Sequence, residues 1–314
     1  HPCFFLCQRS PIIKMLNLFE LFGFILLVIE TLTGMVGNGF IAIVNCIDWF
    51  RSRKLSPADM ILSCLSLFRF AFHAVLMQAA IFNLFFMDSF LMLKIKIAYD
   101  SLWLFLNTAS LWFAAWLSVL YCVKIANFSH PLFLQMKRRF PGLVPWLLLG
   151  TGVFSAITTT VALTGNNIFS KCNPFESYLN NNNDSGINTS NSCEFLILLY
   201  VVPDFFPFAI FLFSSILLLT SLWRHKNLLQ NSVRDVSIEV HLNAIKALAS
   251  FSILYVSNIF VEILSIVLFR MGINDIGVHF IFLNVMAAYS SGHALILIFM
   301  SPKLKQESVR ILTR

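Results

Sequence analysis

The chain has 314 residues, of which 58% are hydrophobic and only 12% are charged, and its mean hydropathy is +0.80. A soluble domain carries about a quarter charged residues, so this composition excludes an ordinary soluble protein. The net charge of +7 does not indicate nucleic-acid binding, because Lys and Arg form short clusters between apolar runs instead of a basic face with interleaved aromatic residues. The composition therefore predicts an all-α, polytopic membrane protein.

Seven apolar windows are long enough to cross a bilayer as α-helices, which need about 20 residues. The windows cover residues 18–47, 58–83, 99–123, 142–164, 195–223, 243–269 and 277–299. Most of the 22 Lys and Arg residues follow the odd-numbered windows: Arg51, Arg53, Lys54, Lys124, Lys137, Arg138, Arg139, Arg224, Lys226, Arg234, Lys246, Lys303, Lys305, Arg310 and Arg314. Because cytoplasmic loops are rich in Lys and Arg, we expect the N-terminus outside and the C-terminus inside.

The first 14 residues differ from the rest of the chain. They contain Cys3, Cys7 and Pro11, and they lack the basic segment, short apolar segment and cleavage site of a signal peptide. Met15 would make a natural start. We expect residues 1–14 to be an upstream or non-native extension and residues 15–314 to form a single seven-helix domain.

The longest hydrophilic interval, residues 165–194, is predicted to be a long second extracellular loop. It carries two N-x-Ser/Thr sequons, which predict glycosylation at Asn188 and, less favoured, at Asn183; an unmodified Asn-rich loop is the alternative. Cys172 and Cys193 share this oxidising environment, so a disulfide between them and two free thiols are both open.

An arginine lies near the middle of the second window, where it opposes membrane insertion by about 2.5–3.5 kcal/mol. Arg69 must therefore face other helices. Its expected partners are residues near one face of the first window: Glu30, Gly34, Asn38, Asn45 and Asp48. We interpret Arg69 and Asn38 as structural residues with a part in switching, and Gly34, Gly37 and Gly39 as sites where a neighbouring backbone approaches closely.

The third window places an indole and an amide on one helical face. Trp103, Asn107 and Ser110 follow one another at i, i+4 and i+7, which indicates a wall of a ligand cavity. Alternatively, Asn107 bonds another helix and Trp103 belongs to the interfacial aromatic belt.

The sixth window offers two polar residues one turn apart, Asn258 and Glu262, which could face the same cavity from the opposite side. Because Arg270 and Asp275 are close in sequence, Glu262 could instead be an interface residue.

Enzyme and cofactor motifs are missing from the sequence. It contains no Gly-rich phosphate loop, no His-Glu-x-x-His and no Cys-x-x-Cys, so we expect no catalytic residues, no cofactor and no metal site. Residues 277–300 contain no Lys for a retinal Schiff base, and no internal repeat of a transporter is visible, although Pro203 and Pro207 interrupt the fifth window. A seven-span transporter or ligand-gated channel stays open as an alternative.

Several motifs together are typical of one family. They are Gly37-Asn38-Gly39-Phe40-Ile41, Lys124-Ile125-Ala126-Asn127-Phe128-Ser129 with Pro131-Leu132-Phe133-Leu134, Leu219-Thr220-Ser221-Leu222-Trp223-Arg224-His225 and Pro302-Lys303-Leu304-Lys305-Gln306. From Met15 onward the chain resembles the bitter taste receptors, or type 2 taste receptors, which are G-protein-coupled receptors. The sequon at Asn127 lies on the expected cytoplasmic side and should stay unmodified.

This resemblance implies a multi-pass plasma-membrane receptor that binds small, mostly apolar bitter agonists and activates a gustducin-type heterotrimeric G protein, phospholipase C and calcium signalling. The partners it implies are the lipid bilayer and other receptor copies in an oligomer. No nucleic acid is expected as a partner. The expected ligand-binding residues are Trp103, Asn107, Ser110, Tyr255, Asn258 and Glu262. The expected structural or switch residues are Asn38, Arg69, Tyr289 and His293. The expected G-protein-facing residues are Tyr121, Lys124, His225, His241, Lys246 and Lys303.

The seventh window departs from the family pattern. Ser290 stands where the family usually has Pro, Ala294 stands where it usually has Ser, and Met300-Ser301 replace the usual Gly-Asn. Loss of that Pro removes a backbone break from a helix that takes part in switching. A receptor that folds but signals poorly is therefore a further alternative.

Overall fold

The computed structural model describes residues 17–85, 90–126, 131–169, 186–229, 235–271 and 276–312. The described residues form eight helices and no strand: α1 (Leu18–Ser52), α2 (Pro57–Phe85), α3 (Phe90–Ile125), α4 (Pro131–Phe169), α5 (Gly186–Leu229), α6 (Asp235–Arg270), α7 (Ile276–Met300) and α8 (Pro302–Leu312). Each of α1 to α7 contains an apolar segment long enough to cross a membrane. The predicted all-α bundle with seven spans is confirmed.

The start of α1 is fixed by local chemistry. The Asn17 side chain accepts a hydrogen bond from the Glu20 amide at 2.8 Å, and the Glu20 carboxylate accepts one from the Asn17 amide at 3.0 Å. This reciprocal capping box satisfies two N–H groups that a helix start leaves without partners. The helix ends at Arg53, which takes the left-handed conformation with φ of 55°.

Several helices extend beyond the apolar windows, and one helix lies outside all of them. Helix α4 begins at Pro131 and not near residue 142, because proline is favoured in a first helical turn and the basic residues that follow can remain helical outside the hydrocarbon. Helix α5 begins at Gly186, so part of the predicted loop 165–194 is helical. Helix α8, which the sequence analysis did not predict, follows directly after Ser301.

Helix α3 lies at the centre of the arrangement, since it packs against α2, α4 and α5. The other neighbours close a ring: α1 packs against α2 and α7, and α6 packs against α5 and α7. The buried residues of α3 include Ala109, Leu111 and Ala115, none of which has exposed surface. This central helix therefore reaches most of the bundle interior.

The seam between α1 and its neighbours depends on two glycines. A Cβ atom on Gly34 would lie 2.0 Å from Nε2 of His73 in α2, and one on Gly37 would lie 3.2 Å from Cβ of Ala294 in α7. At both positions a side chain of the neighbouring helix, and not its backbone, makes the close approach. At Gly39 the nearest atom would be 3.5 Å away, an ordinary contact, so that glycine is not required sterically.

The outer surface of the bundle is apolar. On α4, Trp146, Leu149, Val153 and Ile157 are all more than half exposed. Such a surface is unfavourable in water and suits acyl chains, so the helices are embedded in a lipid bilayer.

Candidate functional site

Polar side chains from α3, α5 and α6 meet at one level of the bundle. Nδ2 of Asn107 donates to Oε1 of Glu262 at 2.9 Å and lies 3.4 Å from Oδ2 of Asp204. The Thr108 hydroxyl donates to Oδ1 of Asp204 at 2.9 Å, and Nδ2 of Asn258 donates to Oε1 of Glu262 at 3.0 Å. We call these five residues the Asp204 cluster.

The Asp204 cluster bridges a gap between two helices. Over the described residues, no Cα atom of α3 comes within 8 Å of a Cα atom of α6. The side chains of Asn107 and Glu262 nevertheless meet. Asn107 is 4% exposed and Asp204 is 6% exposed, whereas Glu262 is partly exposed. The cluster is therefore buried on the α3 and α5 sides and open at Glu262.

The predicted ligand-binding residues divide between two surroundings. Asn107, Asn258 and Glu262 lie together in the Asp204 cluster. Of the two alternatives for Glu262, this contact favours the one in which it faces the same side as Asn107 over the one in which it is an interface residue. Trp103 packs against a different cluster, formed by buried residues of α1, α2, α3 and α7. The Ser110 hydroxyl donates to the Leu106 carbonyl of its own helix.

A layer of aromatic rings lies beside the Asp204 cluster. Tyr255 begins the turn of α6 that carries Asn258, and its ring centroid is 4.7 Å from that of Phe211, 5.4 Å from Phe208 and 5.4 Å from Tyr289. Tyr255 has no exposed surface. These rings connect α5, α6 and α7.

Beyond the rings, Arg69 is the centre of a second group of buried polar side chains. Its guanidinium carbon lies 4.7 Å from the Tyr289 ring centroid, and Nη1 contacts Nδ1 of His293. Since a guanidinium can only donate, Nδ1 of His293 accepts and its proton lies on Nε2. The His293 ring stacks on Phe251 with centroids 3.6 Å apart. We call Arg69, Phe251, Tyr289 and His293 the Arg69 centre.

The prediction that Arg69 has its partners on α1 was wrong. The sequence pattern indicated partners on α1, but the described polar and aromatic contacts of Arg69 are made with α7. The reason is steric: His73, one turn along α2, packs onto Gly34 and fills the face towards α1. Asn38 donates to the Gly34 carbonyl at 2.8 Å, within its own helix.

At the far end of the bundle, Lys303 joins three helices. Its Nζ lies 2.6 Å from Oδ2 of Asp48 and 3.4 Å from Oδ1 of Asp59, and it donates to Oδ1 of Asn45 at 3.0 Å. Partial burial lowers the pKa of Lys303, but the hydrogen bond to Asp48 and the charges of Asp59 and Asp48 outweigh it, so the net pKa is raised. Lys303 remains a cation and holds the start of α8 against α1 and α2.

The other predicted G-protein-facing residues are placed only in part. Lys124 lies in the last turn of α3 and is exposed, Lys246 is exposed on α6, and Tyr121 packs among apolar residues of the same end. The side chains of His225 and His241 lie outside the described residues. So do Asn183, Cys172 and the side chains of Asn188 and Cys193, which leaves the predicted glycans and disulfide as predictions.

Comparison with known proteins decides the family. The family model described as taste receptor protein (TAS2R) matches residues 15–314. Taste receptor type 2 member 2 of Homo sapiens is 35% identical over 290 residues, which cover 90% of this chain and 93% of that receptor. Taste receptor type 2 member 40 of Gallus gallus is 33% identical over 299 residues, which cover 93% and 94% of the two chains.

The chain belongs to the TAS2R family. It is thus a bitter taste receptor of the G-protein-coupled class, a multi-pass protein of the plasma membrane, and membership points to a receptor and not to an enzyme.

Two members of the Asp204 cluster of this TAS2R receptor were missed by the sequence analysis. Asp204 sits in the apolar run between Pro203 and Pro207, and Thr108 follows Asn107. An acidic residue inside a membrane span indicates a functional site by default, so Asp204 carried a usable signal. Thr108 carried none, because hydroxyl side chains in membrane helices commonly bond their own backbone.

Proposed function

We propose that this receptor binds small, mostly apolar bitter compounds between α3, α5, α6 and α7 and activates a gustducin-type G protein, with phospholipase C and calcium signalling downstream. The observation that carries the proposal is the hydrogen bonding of Asn107 to carboxylates on two other helices. Ligand sites are mostly apolar, with a few convergent polar groups that fix orientation. The Asp204 cluster and the adjoining rings have that composition.

Within this site, Asn107 provides directional hydrogen bonding. Trp103, one turn earlier on α3, packs towards α1, α2 and α7 and provides aromatic surface for stacking at the edge of the site. Asn258 and Glu262 provide the opposite polar wall, and Tyr255 lies beside them. Few polar anchors among apolar walls favour many ligands at modest affinity, since shape selects weakly when hydrogen bonds are few.

Ligand contact reaches the rest of the bundle through aromatic packing. The Tyr255 ring lies 5.4 Å from Tyr289, and Tyr289 in turn lies under the guanidinium of Arg69. An agonist that separates or draws together α3 and α6 would shift Tyr255 and hence the Arg69 centre. Activation is then a shift of population towards the state that the agonist binds better.

The excess of Lys and Arg supports a cytoplasmic location for the end with Lys124 and Lys246 and an external N-terminus. These exposed lysines suit an acidic or amphipathic helix of the G protein. Lys303 is already paired with Asp48, so it contributes less to such a surface than its position suggested.

Asn107→Ala tests the proposal in cells that carry a taste-type chimeric G protein. We expect the EC50 for calcium release to rise at least about tenfold, because a hydrogen bond to a charged group contributes about 1.5–3 kcal/mol. The matched control is Asn284→Ala, another buried amide, which donates to the Gly23 and Phe280 carbonyls and does not touch the cluster.

Equal surface display must be shown for both variants. Unchanged responses of Asn107→Ala to every activating compound would contradict the proposed anchor. Current or flux in cells without the G protein would favour a channel or transporter, and a displayed receptor silent to a broad bitter panel would favour a poorly signalling receptor.

A further inference from the structure

We propose that the Asp204 cluster is a subsite for a protonated amine, so that this receptor prefers apolar compounds that carry one ammonium group. The inference rests on the proposed function, because it assigns a chemical class of ligand to the same cavity. It goes further, since a small apolar compound needs no charge to occupy that cavity.

The donors and acceptors of the cluster are not balanced. Asp204 and Glu262 bring two carboxylates, each able to accept about four hydrogen bonds. Against them stand the Thr108 hydroxyl and two amide groups, and the amide of Asn107 is shared between both acids. An additional donor therefore has free acceptor positions to occupy.

The charges are not balanced either. Two carboxylates share the site, and Asp204 and Glu262 would repel each other if both were ionised. Among the described side chains, no Lys or Arg lies within 4.0 Å of either carboxylate, and Arg69 is held by Tyr289 and His293. Buried carboxylates are strongly destabilising unless a cation or several donors compensate them. A ligand cation would supply that compensation.

An orphan acceptor inside the cluster points independently to a donor ligand. Asn258 is 1% exposed, and its Nδ2 is committed to Glu262. Its Oδ1 has no hydrogen-bond partner among the described atoms. Buried amide oxygens are normally paired, so this one marks a position where a donor is missing. An ammonium N–H beside Glu262 could bond Oδ1 of Asn258 while its charge pairs with the carboxylate.

The surroundings determine what else the ligand carries. Glu262 is partly exposed, so the cluster is not sealed on the α6 side. Phe208, Phe211 and Tyr255 supply apolar and aromatic surface next to it. A metal ion such as Ca²⁺ fits less well, because it requires six to eight oxygen ligands and amide N–H groups already occupy these carboxylates. An arylalkylamine matches both halves of the site.

The test compares a panel of arylalkyl tertiary amines, each with its uncharged dimethylamide. The first pair is N,N-dimethyl-3-phenylpropan-1-amine and N,N-dimethyl-3-phenylpropanamide. The trimethylammonium analogue keeps the charge and lacks the N–H. Activation, or a rightward shift of the response to a neutral agonist, is measured for each. In the wild type we expect potency to fall in the order amine, quaternary ammonium, amide.

The decisive variant is the double change Asp204→Asn and Glu262→Gln, which keeps acceptor oxygens for Asn107 and removes both charges. We expect the preference for amine over amide to fall at least about 30-fold, the size of effect that truncating a buried charge pair produces. Glu307→Gln is the control, because Glu307 pairs with Arg310 on α8. If the double variant is not displayed, Glu262→Gln alone is used, with at least a tenfold fall expected.

Two results overturn the inference. One is a displayed variant that keeps the full preference for amines; the other is a wild type that responds to amides and prefers no amine. Both leave the proposed function in place. If neither class acts and Asn107→Ala is also without effect on every bitter compound, the proposed function itself has failed.

Discussion

The Arg69 centre and the Asp204 cluster are both polar groups buried in the same bundle, but they are stabilised differently. Arg69, Tyr289 and His293 are each no more than 3% exposed, and the guanidinium is enclosed by aromatic and imidazole rings. The Asp204 cluster consists of carboxylates and amides, and it opens at Glu262. Removing a side chain that is enclosed by packing disrupts the fold, whereas carboxylates with free acceptor positions can bind a partner.

The loss of the Arg69 side chain should have the largest effect. Arg69→Ala leaves Nδ1 of His293 without its donor and a cavity beside Tyr289, which together should destabilise the fold by about 3–5 kcal/mol. Surface display and the unfolding temperature of purified receptor measure it, with Arg310→Ala on α8 as control. A fully displayed and responsive Arg69→Ala receptor would show that the centre is not structural.

Gly34→Ala should follow in size. Its new methyl group would lie 2.0 Å from the His73 ring, so α1 and α2 must separate at a cost of about 1–3 kcal/mol. Gly150→Ala is the matched control, because nothing lies within 4 Å of its added Cβ. Equal melting temperatures of the two variants would contradict the steric role of Gly34.

Thr108→Val separates binding from folding in the Asp204 cluster. The change keeps the shape of the side chain and removes the hydroxyl donor to Asp204. We expect the free energy of agonist binding to weaken by about 1.5 kcal/mol. We expect the EC50 for agonists to change about tenfold while surface display stays near the wild-type level. If display falls as far as in Arg69→Ala, the cluster supports the fold in the same way as the Arg69 centre.

Lys303→Gln should have the smallest effect. The Lys303 side chain is 36% exposed, and partly exposed ion pairs contribute at most about 1 kcal/mol. Because its pKa is raised, its contribution is present below the ordinary lysine pKa of about 10.4 and is lost only above it. Thermal unfolding at pH 6 and pH 8 should therefore give the same difference from wild type, and Lys305→Gln should give none.

The sequence predicted the spans because a segment of about 20 apolar residues in lipid must satisfy its own backbone hydrogen bonds, and a single segment can do so as an α-helix. It offered, as one of two alternatives, that Asn258 and Glu262 face the same cavity as Asn107, because helical periodicity assigns each residue of a helix a face. It could not assign Arg69 to α7, since the choice between neighbours depends on which side chains fill the space first. His73 against Gly34 decides that choice, and no pattern within one helix shows it.

The α1 seam also determines which parts of the receptor can move. His73 sits in the space that Gly34 leaves, and Ala294 faces Gly37, so α1 cannot slide along α2 or α7 without steric collision. Helices α3 and α6 meet instead through side chains across a gap. Close packing along this seam therefore ties α1 to α2 and α7, and we expect an agonist to act on the side-chain contacts between α3 and α6 and, through Tyr255, on the Arg69 centre.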